Sequence, residues 1–184
     1  MEHFTQWFNE KLKVDRFPVL KELQDEGKHA DVEVVINVSD EFYFEYVNEI
    51  MKLGKQHYYF PMGERSLDMG LASLYGALEV LYYAYQNDRK VLLHCQAGLN
   101  RSPTVQCAMY YMITGNHIAE NVTKGGIFLK SNRLFDNSGI HLPNLWWLEE
   151  WLMNCRIVHQ TPDRFPFGGK YDFTISKTDS VKIR

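Results

Sequence analysis

A cysteine and an arginine stand six positions apart in a short run that also contains a glycine. The run reads His94-Cys95-Gln96-Ala97-Gly98-Leu99-Asn100-Arg101-Ser102. The thiolate is the reactive form of cysteine, and a helix N-terminus or a nearby cation favours that form. The planar guanidinium of arginine can grip two phosphate oxygens at once. We therefore predict that Cys95 is a nucleophile that attacks phosphorus and that Arg101 binds the phosphate.

The segments on either side place this run at a turn between a strand and a helix. Residues 91–93 are typical of a buried strand, and residues 103–113 are typical of a buried helix. Unpaired backbone N–H groups and the helix dipole favour an anion at such a turn. The residues expected to turn their N–H groups inward as an anion nest are Gln96, Ala97, Gly98, Leu99 and Asn100. Gly98 suits this loop because glycine adopts positive φ without steric cost.

Ser102 and His94 flank the two reactive residues. The Ser102 hydroxyl is placed where it can hydrogen-bond the thiolate and steady it as a leaving group. His94 is expected to bond backbone behind Cys95 rather than to transfer a proton. The alternative is an inert buried cysteine, which is what we expect of Cys107 and Cys155. That alternative explains poorly why so many specified residue types recur together in a strand–turn–helix setting.

The motif His-Cys-x5-Arg-Ser resembles the signature of cysteine-dependent protein tyrosine phosphatases, and Gln-Ala-Gly before Arg-Ser resembles their dual-specificity branch. Segments that resemble the same branch lie at residues 35–41, 59–62, 132–133 and 144–152, so that the resemblance covers about residues 30–153. It implies hydrolysis of a phosphate monoester through a phosphocysteine intermediate, with a phosphorylated protein as substrate and no cofactor.

The acid that protonates the leaving oxygen is encoded less directly. The resemblance implies an aspartate three residues after a proline at a strand end, and counting from Pro61 gives Glu64. Asp68 lies four residues further on. Glu64 has the matching position with an extra methylene, whereas Asp68 has the matching chemistry but is also a favoured helix N-cap. We place Glu64 ahead of Asp68, with a third alternative in which water or the substrate supplies the proton.

The loop residues also bear on the substrate. None of Gln96, Ala97, Leu99 and Asn100 is basic. Relatives that act on phosphoinositides tend to carry lysines there, so we expect phosphotyrosine, phosphoserine or phosphothreonine in proteins instead.

Two other functions stay open. A phosphate-binding or catalytically impaired pseudophosphatase is one, because Glu64 replaces the expected aspartate. An RNA 5′-triphosphatase-like hydrolase is the other, because residues 98–101 resemble the Gly-x-Asn-Arg of that group. The Ser102-Pro103 pair and the lack of a basic surface argue against the second.

Composition predicts a compact protein in a reducing compartment. The chain has 184 residues, a net charge of −3 and three cysteines. An odd cysteine count without scaffold spacing argues against a disulfide framework and for the cytoplasm.

The net charge predicts no basic surface for binding nucleic acid or an anionic membrane, and no apolar stretch is long enough to span a bilayer. Because His57, His117 and His141 lack ligand spacing, no metal is expected. The sequence does not encode the oligomeric state.

Alternating strand and helix patterns predict an α/β fold with a central mixed or mostly parallel sheet flanked by helices. Strands are expected at residues 32–38, 57–60 and 91–93, and helices at 44–53, 71–82 and 103–113. Two shorter helices are expected nearer the N-terminus, one with Phe4, Trp7, Phe8 and Leu12 on one face and one with Leu20 and Leu23. The phosphate-binding loop would then lie at the carboxyl end of a central strand.

The predicted phosphatase domain spans residues 1–155, and residues 156–184 form a C-terminal extension. Alternating Tyr171, Phe173 and Ile175 predict a hairpin that packs on the domain. A lid or a dimer contact is the alternative role for it. Gly125-Gly126 lies in a segment that the family keeps helical, and we expect a helix break or a loop there.

Overall fold

Strands and helices alternate along the described part of the chain. The computed structural model describes residues 10–63 and 70–114. Its elements are β1 (Leu12–Asp15), α1 (Leu20–Leu23), β2 (Val34–Asn37), α2 (Phe44–Lys52), β3 (Gln56–Tyr59), α3 (Leu71–Gln86), β4 (Val91–His94) and α4 (Arg101–Thr114). This order confirms the predicted α/β fold.

The four described strands form one sheet in the order β1-β4-β2-β3. All three pairings are parallel. Of the predicted alternatives, a mixed or a mostly parallel sheet, the described strands therefore form the parallel one. In the central strand β4, His94 pairs with Asp15 of β1 on one side and with Asn37 of β2 on the other. Because the strands run the same way, the residues that follow β1, β2 and β4 emerge at one edge of the sheet.

The sheet is apolar on both faces, as parallel sheets covered by helices are. One face carries Val34, Ile36, Val91 and Leu93, which pack with side chains of α3 and α4. The opposite face carries Val35 and Leu92, which pack with Leu23 of α1 and Ile50 of α2. This alternation follows from the two-residue period of a strand. The sheet is therefore held from both sides, and the loop after β4 begins from a fixed strand.

The expectation that Leu12 lies on a helical face is wrong. Leu12 begins β1, pairs with Val91 of β4 and is buried in the core. Parallel pairing gives the backbone of Leu12 hydrogen-bond partners on β4, and the Leu12 side chain packs in the core. Tertiary packing therefore decides its conformation against the helical spacing of the apolar residues before it. The rest of that predicted helix lies outside the described residues.

Several predicted boundaries shift slightly. The strand expected at residues 32–38 is confined to β2, although Val32 and Val38 on either side are also buried. α2 buries Ile50, whereas Phe44 and Met51, which also lie in the predicted helix at 44–53, are exposed. Gly54 follows α2 with φ of +74°, the conformation expected of a glycine that ends a helix.

Other predictions fall on residues that the structure does not describe. These are the domain boundary at 155–156, the glycine break at 125–126 and the hairpin around residues 171–175. Across the described residues, no helix has both the length and the hydropathy to cross a bilayer.

Candidate active site

Cys95 follows β4 directly, and the structure brings Ser102 to it. Its side chain is buried, and the Ser102 hydroxyl donates a hydrogen bond to the Cys95 Sγ over 3.3 Å. Ser102 occupies the first turn of α4. The helix therefore presents both its N-terminus and a hydroxyl donor to the sulfur. This is the arrangement that the spacing of Cys95 and Ser102 predicted.

Arg101 is held by groups that are distant from it in sequence. Its buried guanidinium donates from Nη1 to Oδ1 of Asp40 and, over 3.3 Å, to the carbonyl oxygen of Met62. Its Nη2 lies 3.9 Å from Oε2 of Glu41. Burial is the largest influence on the pKa of Arg101 and would lower it, but the hydrogen bond to Asp40 and the neighbouring negative charges together outweigh burial, and the pKa is raised. The side chain is thus charged and fixed in orientation.

Sequence reasoning missed Asp40. Its carboxylate accepts the bond from Arg101, which is the main reason that the pKa of Asp40 is lowered. An ionised carboxylate at neutral pH is a poor proton donor, so the geometry favours a positioning role over an acid role. The signal for it was an acidic pair that begins two residues beyond the predicted strand, but nothing in the sequence placed that strand beside β4.

The turn that carries Asp40 is organised by Asn37, the last residue of β2. The buried Asn37 Oδ1 accepts bonds from the backbone N–H and the hydroxyl of Ser39, over 2.8 and 2.6 Å. Its Nδ2 donates to the carbonyl oxygen of Glu41 over 2.9 Å. A side chain that bonds its own following backbone shapes a turn without further partners. The backbone that carries the Asp40 and Glu41 carboxylates is therefore fixed by these hydrogen bonds.

The phosphate loop, residues 95–101, is anchored to the chain that follows β1. Gly98 has φ of +71°, and a Cβ built on it would lie 2.5 Å from the Arg16 nitrogen and 2.6 Å from the Asp15 carbonyl carbon. The Phe17 N–H also donates to the Gln96 carbonyl oxygen over 3.0 Å. The conformation and the close approach both require glycine at position 98.

The far end of the phosphate loop is tied into α4. The Asn100 carbonyl oxygen accepts bonds from the backbone N–H and the hydroxyl of Thr104, over 2.9 and 2.8 Å. Between the two anchors, Gln96, Ala97 and Leu99 are exposed. The predicted nest residues therefore lie together at the end of β4, with the loop open to solvent between fixed ends.

His94 lies behind the phosphate loop, as predicted. Its ring is fully buried, its Nδ1 is 3.4 Å from the Cys95 carbonyl oxygen, and the Phe17 ring packs edge-on against it at 4.9 Å. Burial lowers the pKa of His94 to about 3. A histidine that stays neutral across the physiological range is suited to orienting backbone rather than to shuttling protons.

Glu64 and Asp68, the two predicted acids, lie outside the described residues, so the identity of the acid stays a prediction. The chain that leads to them does reach the site, because the Met62 carbonyl oxygen contacts Arg101. Within the described ranges, no three histidine, cysteine or carboxylate side chains come together as a metal site would need.

Comparison with known proteins gives a family and a fold. A family model described as the catalytic domain of dual specificity phosphatases matches residues 19–134. No curated protein sequence matches the chain.

Solved structures with a similar fold include three phosphatase-like proteins. Tk-PTP in its active form shares 20% identity with a TM-score of 0.62, over 84% of this chain and 99% of that chain. PTPMT1 in complex with PI(5)P shares 17% identity with a TM-score of 0.63, over 81% and 94%. Human DUSP28 shares 17% identity with a TM-score of 0.57, over 82% and 96%. At these identities the likeness shows the fold alone.

Proposed function

The chain belongs to the dual specificity phosphatase family, and from that premise we propose that it hydrolyses phosphate monoesters on proteins through a phosphocysteine intermediate. Membership makes it a cysteine-based phosphatase. The hydrogen bond from Ser102 to the Cys95 Sγ carries the mechanistic part of the proposal. The proposed substrates are phosphotyrosine, phosphoserine and phosphothreonine in cytoplasmic proteins, where a thiol stays reduced.

Substrate binding uses the phosphate loop and Arg101. The non-bridging oxygens of the phosphate accept bonds from the backbone N–H groups of residues 96–101, which lead into the N-terminus of α4, where an anion is favoured. Arg101 adds a charge-assisted grip, and Asp40 keeps its guanidinium in place. Preorganised donors of this kind stabilise the charge that develops in the transition state.

In the first chemical step, the Cys95 thiolate attacks phosphorus in line with the leaving oxygen. A bond between sulfur and phosphorus forms as the bond between phosphorus and the leaving oxygen breaks. Glu64 or Asp68 gives its proton to the departing oxygen. The product alcohol leaves, and the phosphoryl group stays on the cysteine.

In the second step, water attacks the phosphorus of the phosphocysteine. The carboxylate that gave up its proton takes one from this water, and the bond between sulfur and phosphorus breaks. The departing thiolate is stabilised by the Ser102 hydroxyl, which lies 3.3 Å from it in the resting structure. Inorganic phosphate is released and the enzyme returns to its starting state.

The charge of the site supports a protein substrate over a lipid headgroup. None of the loop residues between Cys95 and Arg101 is basic. Asp40 and Glu41 add two carboxylates next to Arg101. A second phosphate on the substrate would therefore meet negative charge. PTPMT1 has been solved in complex with PI(5)P, so a phosphoinositide is the informative competitor to test.

The test compares phosphate release from a phosphotyrosine peptide, a phosphoserine peptide and PI(5)P by the wild type and by Cys95→Ser. We expect release from at least one peptide with a higher kcat/KM than from PI(5)P. The Cys95→Ser variant should lose activity by about 10³-fold or more. Cys107→Ser, which changes a cysteine buried in α4, is the matched control and should retain turnover.

Three results would contradict the proposal. Turnover that survives in Cys95→Ser would exclude the phosphocysteine route. Release from PI(5)P alone would exclude the protein substrate. Tight phosphopeptide binding without turnover in the wild type would favour a pseudophosphatase.

A further inference from the structure

Large apolar side chains are exposed beside the phosphate loop. Phe42 and Tyr43, in the turn before α2, are 46% and 54% exposed, and Leu99 within the loop is 37% exposed. We call Phe42, Tyr43 and Leu99 the mouth patch. Isolated exposed apolar residues are ordinary on protein surfaces, but a group at the rim of a binding site marks contact with a ligand.

Tyr43 is linked to the phosphate loop through one intervening ring. Its ring packs edge-on against Phe17, with centroids 5.7 Å apart and planes at 81°. The Phe17 N–H in turn donates to the Gln96 carbonyl oxygen of the loop. The exposed face of Tyr43 therefore has a fixed position relative to a bound phosphate. An aromatic side chain held in this way offers contact area with little loss of conformational entropy on binding.

Phe42 is linked to the residue that holds Arg101. Its ring packs against Tyr59 with centroids 4.9 Å apart, and the Tyr59 hydroxyl donates to the Asp40 carbonyl oxygen over 3.1 Å. Asp40 binds the guanidinium. Tyr43 is thus connected to the phosphate loop through Phe17, and Phe42 is connected to Arg101 through Tyr59 and Asp40.

The described rim around these rings is acidic. Asp40, with 67% of its side chain exposed, and Glu41 both lie against Arg101. Arg16, the other arginine next to the loop, is already paired with Glu22 over 2.8 Å. A positively charged group on the substrate would be attracted here, and a negatively charged group beside the phosphate would be repelled.

We propose that the mouth patch binds the peptide on either side of a phosphotyrosine. An aliphatic or aromatic neighbour packs on Tyr43 and Leu99, while Asp40 and Glu41 favour lysine or arginine over an acidic neighbour. Phosphotyrosine suits this arrangement because Cys95 is buried and the phenyl ring extends the phosphate away from the peptide backbone. This inference rests on the proposed function and names the sequence context that the site selects.

The experiment uses four phosphotyrosine peptides that differ only beside the phosphotyrosine, where they carry Ala, Leu, Lys or Glu. For the wild type, we expect kcat/KM for the Leu peptide to exceed that for the Ala peptide by about tenfold, the usual effect of a small apolar contact. The Lys peptide should exceed the Glu peptide by about fivefold, and this ratio should shrink in 1 M salt, where the Debye length is about 3 Å.

Tyr43→Ala is the diagnostic variant. In this variant, kcat/KM for the Leu peptide should lie within about twofold of that for the Ala peptide, because the apolar contact with Tyr43 is lost. The matched control is Tyr83→Ala, which removes a 59% exposed tyrosine from α3 and should keep the wild-type ratio. Thermal unfolding of both variants checks that they are folded. The wild-type peptide ratios and their salt dependence test the inference even where a variant does not fold.

The outcomes separate this inference from the proposed function. If all four peptides are hydrolysed at equal rates, or if Tyr43→Ala keeps the Leu preference, the mouth patch does not select the flanking sequence and only this inference is overturned. If none of the four is hydrolysed, phosphotyrosine is excluded as the substrate and this inference is overturned with it. Release from the phosphoserine peptide then decides separately whether the proposed function stands.

Discussion

Arg101 is the residue at which distant parts of the chain meet. It is the last residue of the phosphate loop, yet its guanidinium is held by Asp40 beyond β2 and by the Met62 carbonyl oxygen beyond β3. A planar fork is useful only in one orientation, so these acceptors decide whether it can grip two phosphate oxygens. Its catalytic value therefore depends on residues that do not contact the substrate phosphate.

Asp40→Asn tests this dependence. We expect kcat/KM for para-nitrophenyl phosphate to fall by about tenfold, because the variant loses a charge-assisted bond that is partly screened by solvent. Inhibition by inorganic phosphate should weaken in parallel. Asp31→Asn, which breaks exposed pairs with Lys13 and Lys90, is the control and should keep wild-type activity. Equal effects of the two substitutions would contradict a specific role for Asp40.

Gly98 and Gly54 make a second comparison between residues. Both have positive φ, but a Cβ on Gly98 would collide with the backbone of residues 15 and 16, whereas Gly54 has open space. Gly54→Ala should cost about 1–2 kcal/mol of folding free energy and leave activity unchanged. Gly98→Ala should lower kcat/KM by at least about tenfold, since the loop must move. Urea denaturation and turnover measure the two effects, and a Gly98→Ala enzyme with the wild-type kcat/KM would contradict the close approach.

At the scale of elements, β1 supports the phosphate loop from the edge of the sheet. It pairs with β4, and the residues immediately after it meet Gly98 and Gln96. The loop is therefore supported by its own strand and by a neighbour from the opposite end of the described chain. Damage to β1 should affect catalysis although β1 holds no proposed catalytic residue.

Leu12→Ala tests the role of β1. Removing a buried leucine side chain usually costs 2–5 kcal/mol, and we expect a loss of about 3 kcal/mol in the free energy of unfolding. Met51→Ala, at a 61% exposed position of α2, should change it by less than about 0.5 kcal/mol. Chemical denaturation measures both. A small effect of Leu12→Ala would mean that Leu12 does not belong to the core.

Sequence patterns predict the parts of this site that are local. Cys95, Arg101 and Ser102 lie within one strand–loop–helix unit, so their spacing along the chain nearly determines their spacing in space. Asp40 is 61 residues from Arg101, and their contact depends on the strand order, which hydrophobic periodicity does not specify. β1 escaped prediction for a related reason, because four residues are too few to distinguish a strand period from a helical one.

At the scale of the whole molecule, two histidines link stability to pH, the buried His94 and the half-buried His57. Burial lowers the pKa of His94 to about 3 and that of His57 to about 4, below the value of about 6.5 for an exposed histidine. Between these values the unfolded chain binds protons that the folded chain does not. Stability is therefore complete above about pH 6.5 and falls as the pH decreases toward the folded-state values.

We accordingly expect the free energy of unfolding to be smaller at pH 5 than at pH 7.5. Each of the two histidines contributes up to about 1.4 kcal/mol per pH unit across this window. Lowered carboxylate pKa values, such as that of about 2 for Asp31, act mainly at lower pH. Urea titrations measure the slope, and His57→Gln should reduce it. A slope of the opposite sign would contradict neutral burial of these rings.

The contact between Gly98 and the backbone of residues 15 and 16 also bears on how the chain acquires activity. The segment around β1 and the segment around β4 are far apart in sequence, as the bond between Lys11 and Asp88 across 77 residues illustrates. Pairings of such long range are slow to form, because closing the intervening chain costs conformational entropy before the contacts stabilise it. The loop reaches its final shape only after this closure. During refolding, turnover should therefore appear only after the β1 segment has docked against the phosphate loop. Enzymatic activity then reports the end of folding and not the collapse that precedes it.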